Sequence, residues 1–321
     1  MARRVDERMA AARAKHPPAS ALPLAPETFH RHRMAQAQRA RTLGRLLVPL
    51  AADGSILLSR APDVRAACAD AFGPMRSPGA DVHAVLPLRD LLGIIGAHEW
   101  RKKGVDVPVL GARIHPHYGV FAPVRGEYVT LVAEAPWPAG VAPDLAFDIG
   151  TGTGVLAAVL AHRGVPHVVA SELDARAIAC ARDNVARLKL QDRVEVVQAD
   201  LIPAGRAPLI VCNPPWVPGK PASRLEAAIF DPDSRMLRGF LEGLAAHLAP
   251  GGEGWLILSD LAVHLGLRAP GWLEAEVARC GLRVAGRVDA RPSHPKSMDP
   301  KDPLHLARSR EVTSLWRLAG G

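Results

Sequence analysis

In the second half of the chain, short apolar runs alternate with stretches whose apolar residues recur at helical spacing. The runs predict strands at 144–149, 166–171, 193–198, 208–212 and 253–259. The helical spacing predicts helices at about 154–163, 174–188, 234–248 and 271–280. Strands alternating with helices imply a parallel sheet built through right-handed crossovers, an α/β class. Two further strands, about 282–289 and 311–318, follow, joined by a long basic loop at 291–308.

Before residue 112 the pattern is different. Residues 1–25 are basic and then proline-rich (Pro17, Pro18, Pro23), and read as a poorly ordered tail. Residues 26–111 read as a mainly helical domain. Its helices are expected from Glu27 to about Leu47, from Pro62 to Phe72 and from Leu86 to Trp100, with Leu88, Leu91, Leu92 and Ile95 at core spacing. Ala51-Ala52-Asp53-Gly54 marks a turn whose flanking apolar stretches can pair as a hairpin. Residues 112–321 form the second domain. It opens with an extended segment at Ile114–Phe121 and a helix at about Glu127–Ala135.

Composition narrows the classes. The chain has 321 residues, 48% hydrophobic and 4% aromatic, enough for a core in each domain. Forty Lys and Arg against 32 Asp and Glu give a net charge of +8. That balance favours anionic partners such as RNA or DNA, or reflects arginines on a solvated face. The same two readings hold for the first long helix, with Arg31, Arg33, Arg39, Arg41 and Arg45. Cys68, Cys180, Cys212 and Cys280 are scattered with no Cys-x-x-Cys pair, which suits a reducing cytoplasm and argues against zinc. No apolar run approaches the roughly 20 residues of a membrane helix, and Met1–Arg8 lacks a signal peptide's apolar core. His115 and His117 have no third ligand nearby and read as structural or substrate-facing, so no metal is expected. His294 and His305 fall in the basic loop and read as surface residues.

The chemistry concentrates in two segments. Phe147-Asp148-Ile149-Gly150-Thr151-Gly152-Thr153-Gly154 runs from a strand through a glycine turn into a helix. Glycine permits positive φ and close approach of a ligand, and the helix offers free N–H groups. Acidic residues end three successive strands: Asp148, Glu172 and Asp200. Glu172 can accept from both ribose hydroxyls, and Asp200 from an adenine amino group. Asp148 would repel a pyrophosphate and suits the ammonium of a methionine moiety. Each of the three can also serve as a helix cap. The dinucleotide fingerprint G-x-G-x-x-G is absent, because these glycines fall at every second position.

The second segment, Asn213-Pro214-Pro215-Trp216, ends the apolar strand Leu209-Ile210-Val211-Cys212. Its prolines fix φ and remove N–H donors, leaving a stiff loop with free carbonyls. The Asn213 side-chain oxygen and the Pro214 carbonyl can each accept a proton from one NH2 group. That pairing favours a pyramidal nitrogen with its lone pair free for a methyl group. Trp216 can stack on the planar group that bears the nitrogen. An ordinary Asn-Pro turn is the plainer reading of the same residues.

With both segments in hand, the sequence resembles class I S-adenosylmethionine-dependent methyltransferases, and more narrowly the HemK family of release-factor glutamine methyltransferases. Asp148 to Gly154 matches the family's Asp-hydrophobic-Gly-Thr-Gly-Thr-Gly stretch, and Asn213 to Pro215 its Asn-Pro-Pro-Tyr, with Trp216 replacing tyrosine. Phe121-Ala122-Pro123-Val124-Arg125-Gly126-Glu127 is similar to its Pro-Arg-Pro-Glu-Thr-Glu segment at Arg125 and Glu127. The resemblance covers roughly residues 100–260. It implies a Rossmann-like seven-stranded sheet behind a helical N-terminal domain that helps bind a protein substrate. It implies S-adenosyl-L-methionine contacts at Asp148, Gly150, Thr151, Gly152, Gly154, Glu172, Asp200 and Asn213. Substrate contacts would fall at Arg125 and Glu127, and chemistry at Asn213, Pro214, Pro215 and Trp216. The implied acceptor is a glutamine amide in a translation factor or ribosomal protein. The alternative is N6 of adenine in rRNA, tRNA or DNA, which presents the same NH2 geometry once the base is flipped. A binding protein that keeps the fold without the reaction, or a hydroxyl methyltransferase for small molecules, fits the paired motifs less well.

Overall fold

The computed structural model describes residues 2–14, 24–75, 82–140, 142–292, 299–300 and 302–321. Its first part contains α1 (Ala2–Ala14), α2 (Pro26–Leu43), β1 (Leu47–Leu50), α3 (Arg65–Phe72), β2 (Ala84–Pro87), α4 (Leu88–Lys103), β3 (Val105–Val107), β4 (Ala112–Ile114) and α5 (Glu127–Glu134). Residues 2–14, expected within a poorly ordered tail, are helical. Asp6 of α1 accepts from Arg39 of α2 at 2.6 Å, a tie to a distant residue that no local pattern announces. Residues 1 and 15–23 of that tail lie outside the described residues.

The expected local hairpin around Gly54 is reduced to a single bridge, Leu50 to Ile56. Instead β1 pairs antiparallel with β2, Leu47 opposite Pro87. That pairing turns Val48 and Leu50 onto Val64, Cys68 and Leu91, in one buried apolar cluster. The extended segment expected at 114–121 also ends early. Only Ile114 belongs to a strand, β4, which pairs with β3. Beyond it, His115 N donates to Asn184 at 2.7 Å and His117 Nε2 lies 3.1 Å from Asp183. Both histidines therefore fasten this loop to the helix at 175–187.

The second part alternates as the pattern predicts: β5 (Leu145–Ile149), α6 (Val155–His162), β6 (His167–Glu172), α7 (Ala175–Arg187), β7 (Val194–Gln198), β8 (Ala207–Cys212), α8 (Arg235–His247) and β9 (Leu248–Ser259). There follow α9 (Leu261–His264), α10 (Trp272–Arg279), β10 (Leu282–Ala290), α11 (His305–Arg308) and β11 (Thr313–Gly320). The sheet has seven strands in the order β10-β11-β9-β8-β5-β6-β7. β11 runs antiparallel to both neighbours, and the others pair in parallel. Parallel strands buried on both faces need near-continuous apolar sequence. Leu209-Ile210-Val211-Cys212 supplies it, each residue fully buried.

The order places the switch point between β5 and β8. The chain moves outward from β5 through β6 to β7, then returns to β8 on the other side. Ile149 is in register with Cys212. The two loops that follow these residues therefore leave the sheet side by side, at the edge where open α/β sheets bind ligands.

A small apolar cluster lies beside the second of those loops. Val217 packs with Leu24, Phe29, Leu265, Leu304 and Ala307. Phe29 belongs to α2, so this helix packs on the sheet domain. Arg33 of α2 reinforces the contact, donating to Glu226 at 2.9 Å and to the Lys220 carbonyl at 2.8 Å. Ala307 belongs to α11, in the segment expected to be a basic loop. Its helix follows from burial of Leu304 and Ala307 on one side. Residues 293–298 and 301, including His294, lie outside the described residues.

Candidate active site

The glycine turn after β5 holds its shape through local bonds. Gly150 N and Thr151 N both donate to the Ser171 carbonyl, at 2.9 and 3.0 Å. Gly150 has φ of +68°, and a Cβ there would stand 2.5 Å from Met236 Cε. Met236 could swing aside, so it is the positive φ that favours glycine here. Asp148 is buried. Its Oδ2 accepts from the Thr151 hydroxyl at 2.6 Å and from Ala157 N, in the first turn of α6, at 3.0 Å. Burial pushes its carboxyl up to about 6, opposed by those two hydrogen bonds and assisted by the nearby charge of Glu172.

Glu172, at the end of β6, ties the turn from the far side. Its Oε2 accepts from Gly152 N at 3.1 Å, and its Oε1 from Leu173 N and Asp174 N at 2.8 and 3.0 Å. Carboxylate oxygens carry about four acceptor sites in all, so capacity for a ligand remains. Asp174 caps α7 through Arg176 N and Ala177 N.

The Asn-Pro-Pro-Trp loop after β8 is held differently. Trp216 Nε1 donates to Asn213 Oδ1 at 2.8 Å. The Arg125 guanidinium carbon lies 4.9 Å from the centre of the Trp216 ring. Arg125 is itself fixed by two buried carboxylates, donating to Glu127 at 2.6 Å and to Glu311 at 3.1 Å. Glu311 also accepts from the Ser259 hydroxyl at 2.6 Å. Val217 N donates to the Ile229 carbonyl at 3.1 Å, and Asp231 N to the Val217 carbonyl at 2.9 Å.

One cleft of about 450 Å³ joins the two loops. Asp148, Gly150, Thr151, Gly152 and Glu172 line one part, and Asn213, Pro214, Pro215, Trp216 and Arg125 another. The size falls within the roughly 300–1,000 Å³ of small-molecule sites. Three expected residues stand outside its lining. Asp200 follows β7, the sheet's edge strand, and its half-exposed carboxylate accepts from Arg235 at 2.9 Å. Gly154, with φ of +82°, starts α6 and packs on Ala181. Glu127 sits behind Arg125. Trp216, expected to stack on the acceptor, carries Arg125 over its ring and spends its N–H on Asn213.

Several lining residues escaped the sequence reading. Tyr128 and Met236 lie on helices whose spacing signalled only core. Burial, with Asp148 and Glu127 nearby, pushes the Tyr128 hydroxyl well up, so it stays neutral. Arg224 reaches the rim 3.6 Å from Asp174. Glu311, distant in sequence, has no motif around it at all.

The cleft's chemistry suits S-adenosylmethionine. Asp148, Glu172 and Asp174 supply negative charge where that cation would lie, beside the free N–H groups that open α6. The glycine turn lets a ligand approach the backbone, and Glu172 offers oxygens to a ribose.

Comparison with known proteins agrees. The family described as "Methyltransferase small domain" matches residues 131–269. A release factor glutamine methyltransferase from Cereibacter sphaeroides is 31% identical over 175 residues, covering 50% of this chain and 58% of that protein. A tRNA1(Val) (adenine(37)-N6)-methyltransferase from Shewanella loihica is 30% identical over 178 residues, covering 52% of this chain and 69% of that protein. Among solved structures, a methyltransferase from Pyrococcus furiosus aligns over 73% of this chain and 99% of its own, at 19% identity and a TM-score of 0.47. The chain spans 58% of the length of the release-factor relative and 31% of a second relative, a tRNA1(Val) adenine methyltransferase from Bacteroides thetaiotaomicron. With the strand order, the glycine turn and the Asn-Pro-Pro loop in one cleft, the chain belongs to the class I methyltransferases, a family whose methyl donor is S-adenosylmethionine.

Proposed function

We propose that the protein binds S-adenosylmethionine in this cleft and transfers its methyl group to a side-chain amide nitrogen, that of a glutamine in a protein of the translation machinery. The carrying observation is that Asn213-Pro214-Pro215 and the glycine turn line one cleft on adjacent strands. The bound cofactor would supply an electrophilic methyl carbon. Gly150, Thr151 and Gly152 would hold its amino-acid end, Asp148 its ammonium and Glu172 its ribose. Asp200, half-exposed beyond the cleft lining, accepts from Arg235 through Oδ2 and keeps Oδ1 for an adenine amino group.

Asn213 and Pro214 would act on the acceptor. A carbonyl oxygen has two lone pairs, and Trp216 occupies one on Asn213 Oδ1. The other, with the Pro214 carbonyl, accepts the two hydrogens of the target NH2. Held this way, the nitrogen loses conjugation and its lone pair becomes available. Positioning and electrostatics supply most of the acceleration. As the methyl leaves sulfur for nitrogen, the sulfonium would become a neutral thioether and the nitrogen would shed one acidified proton to solvent, so no strong base is required. Arg125, with Glu127 behind it, borders the acceptor side of the cleft, and its match to the release-factor family's upstream segment supports the glutamine reading.

Adenine N6 in RNA is the second reading. The net charge of +8 and the adenine-modifying relative favour it. The test uses radiolabelled S-adenosylmethionine and lysate from cells lacking the gene, split between protease and RNase. Protease-sensitive label is expected. RNase-sensitive label would replace glutamine with adenine. A cytoplasmic site of action belongs to the same proposal, in keeping with four free cysteines. No described helix is long and apolar enough to cross a membrane.

A further inference from the structure

Trp216 lines the cleft, and one face of its ring is already occupied. Its side chain is partly buried and packs against three separate apolar clusters. Arg125 lies over its ring. The guanidinium is anchored there by Glu127 and Glu311, whose side chains are only 6% and 3% exposed. Arg125 Nη2 is buried and makes no hydrogen bond, so no other polar partner draws the group away from the ring. What Trp216 does offer is its N–H, aimed at Asn213 Oδ1 at 2.8 Å.

An indole N–H can only donate. The two ends of an asparagine amide have nearly the same shape, so shape alone does not choose between them. Facing a fixed donor, the amide must present its oxygen. In the opposite orientation an NH2 group would meet the indole N–H, two donors in contact. The acceptor would then find hydrogens where it needs a carbonyl. A cation over the π face also withdraws electron density from the ring and strengthens the N–H as a donor.

We propose that Trp216 is a positioning residue that selects the productive orientation of the Asn213 amide, with Arg125, Glu127 and Glu311 holding the indole in place. The inference rests on the reading that Asn213 accepts from the target NH2, and it deepens that reading. The fourth residue of the Asn-Pro-Pro-Trp loop acts through the first. Phenylalanine there would keep a ring but lose the selection.

The test is a double-mutant cycle. Trp216→Phe should lower kcat about tenfold, the worth of one hydrogen bond in a dry site, with KM and cofactor affinity within about twofold of wild type. Asn213→Asp replaces the amide with a carboxylate whose two oxygens both accept, so orientation no longer matters. In that background the Trp216→Phe penalty should shrink to about twofold or less. A raised KM with kcat retained would mean that Trp216 stacks on the acceptor and would overturn the proposal. So would an equal penalty in both backgrounds.

A second readout needs no turnover. The chain has six tryptophans, and the indole N–H resonance lost in Trp216→Phe identifies this one. Asn213→Ala should move that resonance toward the value of an indole without a protein partner. An unmoved resonance would show that the bond does not form, whatever the enzyme methylates. If wild type labels neither protein nor RNA, the functional reading fails, and the resonance still decides whether Trp216 holds Asn213.

Discussion

The two loops of the cleft leave adjacent strands one residue after a matched pair, yet they are held in opposite ways. The glycine turn is fixed by its own neighbourhood. Asp148, Ser171 and Glu172 pin Gly150, Thr151, Gly152 and the start of α6 with backbone hydrogen bonds. The Asn-Pro-Pro-Trp loop is fixed from a distance. Arg125 and Glu311 reach it through the Trp216 ring, and Phe29, Leu304 and Ala307 cover Val217 next to it. A loop that grips a cofactor of constant shape can be encoded locally. The loop proposed to present two carbonyls to the acceptor depends on contacts from both ends of the chain.

The largest effect that would sharpen this contrast is expected at Asn213. Asn213→Ala should reduce kcat by about 100-fold or more while calorimetric affinity for S-adenosylmethionine stays within about threefold. Equal losses in both would mean that the two loops do not divide the labour.

Next comes the distant support. Phe29 is 5% exposed in the cluster that covers Val217. Phe29→Ala should cost about 3 kcal/mol in thermal or chemical unfolding. It should lower kcat more than cofactor affinity. A variant as stable as wild type would show that α2 does not brace the acceptor loop.

On the cofactor side, Glu172→Ala should weaken S-adenosylmethionine binding about tenfold, through lost ligand contacts and a loosened Gly152. Unchanged affinity would remove Glu172 from the ribose role.

The smallest effect is a dependence on pH. Burial favours the protonated Asp148, so this group's contribution to folding stability is complete below its ordinary pKa and is lost as pH rises through about 6. Cofactor affinity should run the other way. It should stay level above about pH 6 and fall as pH drops through that value, because the ammonium then loses its carboxylate. Asp148→Asn should flatten the profile. A wild-type profile already level from pH 7 to 5 would show that the Asp148 charge does not contribute to binding.

The legibility of the sequence follows the same division. Strands 208–212 and 253–259 were readable because a parallel sheet demands unbroken apolar runs. The glycine turn was readable because positive φ demands glycine. An acidic residue that ends a strand, such as Asp200, looks the same in sequence whether it meets a ligand or Arg235. The Trp216 ring suggests stacking, and only the fold shows that Arg125 lies over it.

The sequence by itself determined the alternation of strands and helices, the glycine turn and the stiff Asn-Pro-Pro loop. Each of these expresses backbone geometry and apolar spacing within a few residues. Tertiary structure alone decided which carboxylates reach the cleft, that β1 pairs with β2, that α2 and α11 cover Val217, and that Arg125 lies over Trp216. Those contacts join residues far apart in the chain, and their energy comes from burial and hydrogen-bond geometry that exist only once the sheet has formed.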